Sequence, residues 1–341
     1  MATLGKDLTE FEVLMRERQH VTAYLDTHIR EVLDAPATPL SEACAYVIAA
    51  PGKLLRPLLM LDACRAAGGN PDQVFPAAVG TEYGHMASLV HDDIIDGDGE
   101  RHGQAAVHVK YGLDTALLLG DLLIFQTFLS FAACEERGAS AERVLAAIRT
   151  LGETCVAMCQ GQALEARTAG DLTTDEATYL EIIRLKTAVF CRAAARIGAR
   201  LGGAANWAVE AVARYGEQLG MTFQIVDDLL GYTGDDRVVG KPLSSDLANG
   251  RVTLPVIYAI ESGGERTRAR IRALFQADAA HRERAHHDLI RLLADQGALT
   301  RARARAKWYT ASAKRELDRL PETPARERLR ALADGFLVRD H

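Results

Sequence analysis

Three features of the 341-residue sequence predict an all-α fold. Apolar residues recur with a period near that of the helix almost throughout, while the alternation of a half-buried strand is hard to find. Neither a low-complexity linker nor an internal repeat divides the chain, so a single helical domain over residues 1–341 is the economical organisation. Hydrophobic residues make up 48% of the chain and charged residues 25%, the balance of a globular protein with a substantial core.

Each element follows from its local pattern. Phe11 to Leu33 is amphipathic, and the proline-bearing stretch Pro36 to Leu40 breaks it before a short helix through Ala50. Pro51-Gly52 then opens an apolar helix that Gly68-Gly69 closes. Lys53 and Arg56 stand three residues apart near its start and can point one way, as a solvated helix end or as an anion site. The next helix begins near Pro71 or Asp72 and runs past His91, and Gly97 to Gln104 is a glycine-rich loop. Leu113 to Ala133 is broadly apolar but carries Asp114, Gly120, Asp121 and Gln126, which reads as a buried core helix and not a membrane helix. Further helices are expected at Ala141 to Ala169, Thr174 to Leu201, Asn206 to Leu230 and from Thr253 onward, with charged amphipathic helices from Arg266 to the end. Lys186 and Thr187 interrupt one core helix, and Gln160, Gln162 and Glu165 mark another, either as inter-helix hydrogen bonds or as the lining of a polar pocket.

Composition also narrows the partners. A net charge of −6, with the C-terminal basic residues interspersed with acids, argues against a nucleic-acid partner. The first thirty residues hold no apolar signal core, and no uninterrupted apolar run is long enough to span a membrane. The cysteines (Cys44, Cys64, Cys134, Cys155, Cys159 and Cys191) form no CxxC pair, and Cys155 with Cys159 fits a helix face. A reducing, cytoplasmic location is the expectation.

The chemistry concentrates in two acidic clusters. In HDDIID, Asp92, Asp93 and Asp96 form a DDxxD pattern that places Asp92 above Asp96 on one helix face. Two carboxylates about 4 Å apart repel by about 4 kcal/mol at an effective dielectric near 20, a cost that a divalent cation removes. Oxygen-only ligands favour Mg²⁺, which takes its remaining ligands from water and phosphate oxygens. Asp227 and Asp228 end a second apolar helical run in FQIVDDLLG, with Gly240-Lys241-Pro242 close behind. Two such clusters far apart in sequence suggest two walls facing one cavity, suited to a diphosphate head and a hydrocarbon tail.

These residues resemble those of the trans-isoprenyl diphosphate synthases of the polyprenyl synthetase family, over about Pro51 to Ala259. The resemblance implies a helical bundle of the isoprenoid synthase type with a central apolar cavity. It implies a Mg²⁺-dependent prenyltransferase that condenses isopentenyl diphosphate head-to-tail with an allylic prenyl diphosphate, and a homodimer. Under it, Asp92 and Asp96 would hold two Mg²⁺ ions and Asp227 a third, supported by Asp93 and Asp228. Arg101, Lys186, Gln224 and Lys241 would contact the allylic diphosphate, and Lys53, Arg56 and His85 would hold isopentenyl diphosphate. Thr187 and Gln224 would stabilise the cation or guide deprotonation.

Three positions depart from the family pattern. His102 stands where a second arginine is common, replacing a permanent bidentate cation with a group largely neutral above about pH 6.5. Gly231 stands where a third aspartate is usual, and Leu54 where an arginine is frequent. Along the helix below the first cluster, Ser88, Ala87, Gly84 and Thr81 are small, where bulky aromatics would close the tunnel early. The expected product is therefore about C20 or longer. Competing readings are a class I terpene synthase on the same scaffold and a regulatory subunit of a heteromeric prenyl transferase. Retained Lys53, Arg56 and His85 speak against the first, and both intact acidic clusters against the second.

Overall fold

The computed structural model describes residues 10–33, 38–49, 52–101, 103–233, 245–278 and 280–337. Helices dominate it, as the sequence predicts. The first half contains α1 (Glu10–Leu33), α2 (Pro39–Ile48), α3 (Leu55–Ala66), α4 (Phe75–Asp96), α5 (Val107–Tyr111), α6 (Leu113–Ala132) and α7 (Ala141–Thr168). The second half contains α8 (Glu176–Ile183), α9 (Val189–Leu201), α10 (Asn206–Thr233), α11 (Ser245–Ala248), α12 (Leu254–Phe275), α13 (Arg282–Asp295), α14 (Ala298–Leu317) and α15 (Pro324–Leu337). The loop after α4 contributes a small antiparallel pair, β1 (Glu100–Arg101) with β2 (Gln104–Ala105), in which Arg101 faces Gln104.

Local chemistry sets the ends that matter. Thr38 caps α2 through a reciprocal box with Ser41, and Pro39 supplies the preset first turn. The expected start at Pro71 is a separate 3-10 turn, Pro71–Gln73, and α4 proper begins at Phe75. Gly97 stops α4 in a left-handed conformation (φ 68°), with the Asp98 amide donating to the Asp93 carbonyl at 3.0 Å. The three aspartates of the first cluster therefore occupy the last turn of the helix, where the dipole is negative and carboxylates are disfavoured. Cations brought from elsewhere must offset them.

Between α8 and α9 the chain makes one π turn, Arg184–Ala188, at the predicted interruption. Two glycines let neighbouring helices close on it. A Cβ on Gly161 of α7 would lie 2.7 Å from the Lys186 nitrogen, and one on Gly220 of α10 would lie 2.5 Å from the Ala188 Cα. The turn is wedged between two backbones, which fixes where Lys186 and Thr187 project.

One buried ion pair ties the C-terminal helix to the core. Arg328 of α15 donates to both Asp62 carboxylate oxygens, and Asp62 on α3 is almost fully buried.

The expectation for Leu113–Ala133 needs correction. Helix α6 packs along α4 through Ala116, Leu119, Gly120, Leu123 and Thr127. Its other side carries exposed Leu117, Leu118, Phe125 and Leu129, so it is buried on one face only. Among the described residues α6 is also the helix long and apolar enough to cross a membrane, though only 33% of it is buried here. The sequence misled because α6 is apolar on both faces, and periodicity cannot then show which face packs inside.

Candidate active site

At the end of α4 the carboxylates are met by cations from three directions. Asp93 is turned inward and accepts from Arg101, whose Nε lies 2.7 Å from Oδ1 and whose Nη2 makes a second bond to the same oxygen. The β1–β2 pair holds Arg101 in place. Burial alone would pull the Arg101 guanidinium down, but Asp93, Asp92 and Asp98 hold it above its ordinary value. Asp96 is engaged by Arg251, which follows α11, with Nη2 at 2.5 Å from Oδ2. Burial pushes the Asp92 carboxyl up; Lys186 opposes this, while Asp96 and Glu165 add to it.

Arg251 is the link between the two walls. It also donates to Asp246 at 3.1 Å and lies 3.8 Å from Glu165 of α7, which in turn accepts from Lys186 Nζ at 2.6 Å. Asp246, on α11, is buried and close enough to Asp228 to raise its carboxyl. An unbroken set of charges thus runs from Asp96 on α4 to Asp228 on α10.

Asp228 is the fixed member of the second cluster. Tyr179 Oη donates to Oδ2 at 2.6 Å and Gln224 Nε2 donates to Oδ1 at 2.8 Å. Burial pushes the Asp228 carboxyl well up, and Asp246 and Asp227 add to the rise against those two hydrogen bonds. The Gln224 carbonyl accepts from Thr187 Oγ1 at 2.8 Å, which connects the π turn to the same cluster. Asp227, one residue earlier on α10, is half-buried.

The Gly231 departure has a geometric setting. A Cβ there would lie 3.5 Å from Asp246 Oδ2, so an aspartate would face a carboxylate that is already present. The Gly231 carbonyl pairs with His286 Nε2 at 2.9 Å. Leu54 is turned into the core at the start of α3 in a left-handed conformation (φ 53°).

On the other side of α4, Arg56 stacks over the Phe190 ring at 5.1 Å, and Lys53 is exposed just before it. Arg18 of α1 reaches the Lys53 carbonyl at 3.3 Å. Buried Glu82 lies beside Arg56 and Arg18, and half-buried His85 is on the next turn of α4. The Phe190 ring also bears on the tunnel positions: a Cβ on Gly84 would meet it at 3.2 Å and Thr127 Oγ1 at 3.3 Å. Ser88 is half-buried with its hydroxyl bonded to its own helix, while Thr81 and Ala87 are fully buried. His102 and Lys241 lie outside the described residues.

Sequence reasoning did not select Arg251, Asp246 or Tyr179, and saw Glu165 only as a polar residue on an apolar helix. Arg251 stood in NGRVTLP, directly before a helix start, where only Asp246, five residues earlier, is an acidic partner close in sequence. A cavity of about 510 Å³ lies apart from this site, lined by Arg16, His20, Arg65, Phe75 and Arg328 among others.

The donor set suits a hard cation. Among the described residues no group of three or more histidine, cysteine, aspartate and glutamate side chains closes on a metal by itself. Such an arrangement fits an ion that takes some of its ligands from phosphate and water. The upward push on Asp92 from Asp96 and Glu165 is the excess negative charge that such an ion relieves.

The sequence model of the polyprenyl synthetase family matches residues 37–293. The chain belongs to that family. Among curated members it is 37% identical to a geranylgeranyl diphosphate synthase of Methanosarcina mazei, over 96% of this chain and 98% of that one. It is also 37% identical to a geranylfarnesyl diphosphate synthase of Aeropyrum pernix, over 92% and 99%. A polyprenyl synthase from Caulobacter crescentus, solved with calcium and isoprenyl diphosphate, superposes with a TM-score of 0.84 at 31% identity, covering 95% of this chain and 96% of that one. The family's fold and the helical order described above agree across these spans.

Proposed function

We infer that this protein is a prenyltransferase that condenses isopentenyl diphosphate head-to-tail with an allylic prenyl diphosphate, releasing pyrophosphate. The carrying observation is Arg251, which touches Asp96 of the first cluster and Asp246 beside the second. Both clusters thereby border one space, and the neighbouring lysines and arginines suit two diphosphates.

Asp92, Asp96 and Asp227 would hold about three Mg²⁺ ions. Bound there, the metal supplies Lewis-acid stabilisation of negative charge on the leaving group. Lys186, Arg101 and Arg251, with Lys241 and Gln224, grip the allylic diphosphate as its C–O bond breaks and the pyrophosphate leaves with the electron pair. Lys53, Arg56 and His85, with His102, hold isopentenyl diphosphate so that its double bond faces the allylic carbon. The Thr187 hydroxyl and Gln224 carbonyl present their oxygens to the developing cation, and the pyrophosphate takes the proton lost as the new double bond forms. Packed apolar helices exclude the water that would trap the cation. Asp93 and Asp228 act through their partners, Arg101 and Gln224.

The small side chains at Thr81, Gly84, Ala87 and Ser88 support a product of about C20 or longer, as do relatives named for C20 and C25 products. A second copy of the chain is the partner we propose for the exposed α6 stripe of Leu118, Phe125 and Leu129. Six free cysteines support a cytoplasmic enzyme, which we propose works as one catalytic domain. The deciding assay supplies purified protein and Mg²⁺ with an allylic diphosphate, with and without isopentenyl diphosphate. Elongated diphosphates formed only with both substrates are expected; hydrocarbons from the allylic substrate alone would overturn the reading, and growth that stops at farnesyl diphosphate would overturn the product length.

A further inference from the structure

Glu165 has no part in the reaction as described, yet it touches two of the three described cations that would grip the allylic diphosphate, Lys186 and Arg251. It accepts from Lys186 Nζ at 2.6 Å and lies 3.8 Å from Arg251 Nε, while Arg251 also holds Asp96 and Asp246. On the reading above, on which this inference rests, Asp96 would be a metal ligand when substrate is bound and would be drawn away from Arg251. Arg251 then loses its 2.5 Å partner at the moment it is needed. With Asp246 alone left to hold it at 3.1 Å, the long side chain would regain rotamer freedom, to be lost again on binding.

Glu165 prevents that release. It sits on α7 one turn after Gly161, which lets the helix backbone meet the π turn, and its carboxylate accepts from Lys186 Nζ at 2.6 Å. Asp246 secures the opposite edge of the Arg251 guanidinium. We propose that Glu165 is a positioning residue that keeps Lys186 and Arg251 aimed at the allylic diphosphate while Asp96 is taken by the metal. A purely electrostatic role would have the opposite sign, because a carboxylate that only screens the two cations weakens anion binding.

Glu165→Gln and Glu165→Asp separate these roles. For Glu165→Gln the KM for the allylic diphosphate should rise about tenfold while that for isopentenyl diphosphate changes less than twofold. Calorimetric affinity for inorganic pyrophosphate with Mg²⁺ should fall by a similar factor. Glu165→Asp keeps the charge and should recover part of both losses. Equal changes in the two KM values, unchanged or tighter pyrophosphate binding, or no recovery in Glu165→Asp would overturn the proposal. Inactive wild-type protein would instead count against the prenyltransferase reading, and the pyrophosphate titration would still test Glu165.

Discussion

Glu82 offers a test of how charge is buried behind the proposed isopentenyl diphosphate site. Its side chain is 2% exposed, and Oε2 has no hydrogen-bond partner among the described residues. Burial pushes its carboxyl from 4.5 up to about 7, outweighing the downward pull of Arg56 and Arg18. An acid whose folded value is raised binds its proton more tightly when folded, so its contribution to stability is full below about pH 4.5 and is lost as pH rises through about 7. At about 1.4 kcal/mol per pH unit the rise is worth about 3 kcal/mol. Glu82→Gln keeps the shape and stays neutral, so it should resemble wild type at pH 5 and be more stable by up to about 3 kcal/mol at pH 8. Urea denaturation of both proteins at pH 5, 6, 7 and 8 reads this directly. A stability difference that stays constant across that range, whatever its sign, would refute the argument.

Three further outcomes follow from packing. Gly161→Ala places a methyl 2.7 Å from the Lys186 nitrogen, and overpacking should cost about 1–3 kcal/mol despite the helix preference for alanine; neutral or raised stability in urea would show that α7 can shift. Phe190→Ala opens the space beside Gly84, so chromatography of the products should show growth by at least one five-carbon unit, and an unchanged distribution would remove Phe190 from the tunnel wall. Leu118→Glu combined with Phe125→Glu charges the exposed face of α6. Light scattering should then report a dimer for the wild type and a monomer of unchanged helicity for the variant, and a variant that still dimerises would place the interface elsewhere.

What the sequence made legible was whatever is written within one or two helical turns. DDxxD declares its own geometry, because Asp92 and Asp96 are one turn apart whatever the rest of the chain does. The interruption at Lys186 and Thr187 was visible for the same reason, as polar residues in an apolar helix. Arg251 was illegible because its meaning lies in a partner 155 residues away, and nothing around it in the sequence names Asp96. The same blindness applies to Glu165, whose partners Lys186 and Arg251 come from two later segments. Helix α6 failed differently: composition told of an apolar helix and could not say that half its apolar surface faces outward.

The departures from the family pattern show why residue-by-residue comparison needs this long-range geometry. Read alone, Gly231 looks like a missing metal ligand. In the fold the space beside it is bordered by Asp246, a carboxylate already fixed by Arg251, and the Gly231 carbonyl is occupied by His286. Adding an aspartate at 231 would crowd a second negative charge against Asp246 and raise Asp228 further, because Asp246 already pushes that carboxyl up. The glycine is therefore better understood as part of the charge balance of the second cluster than as a loss from it, since the two carboxylates nearest to it are matched by donors: Tyr179 and Gln224 on Asp228, and Arg251 on Asp246.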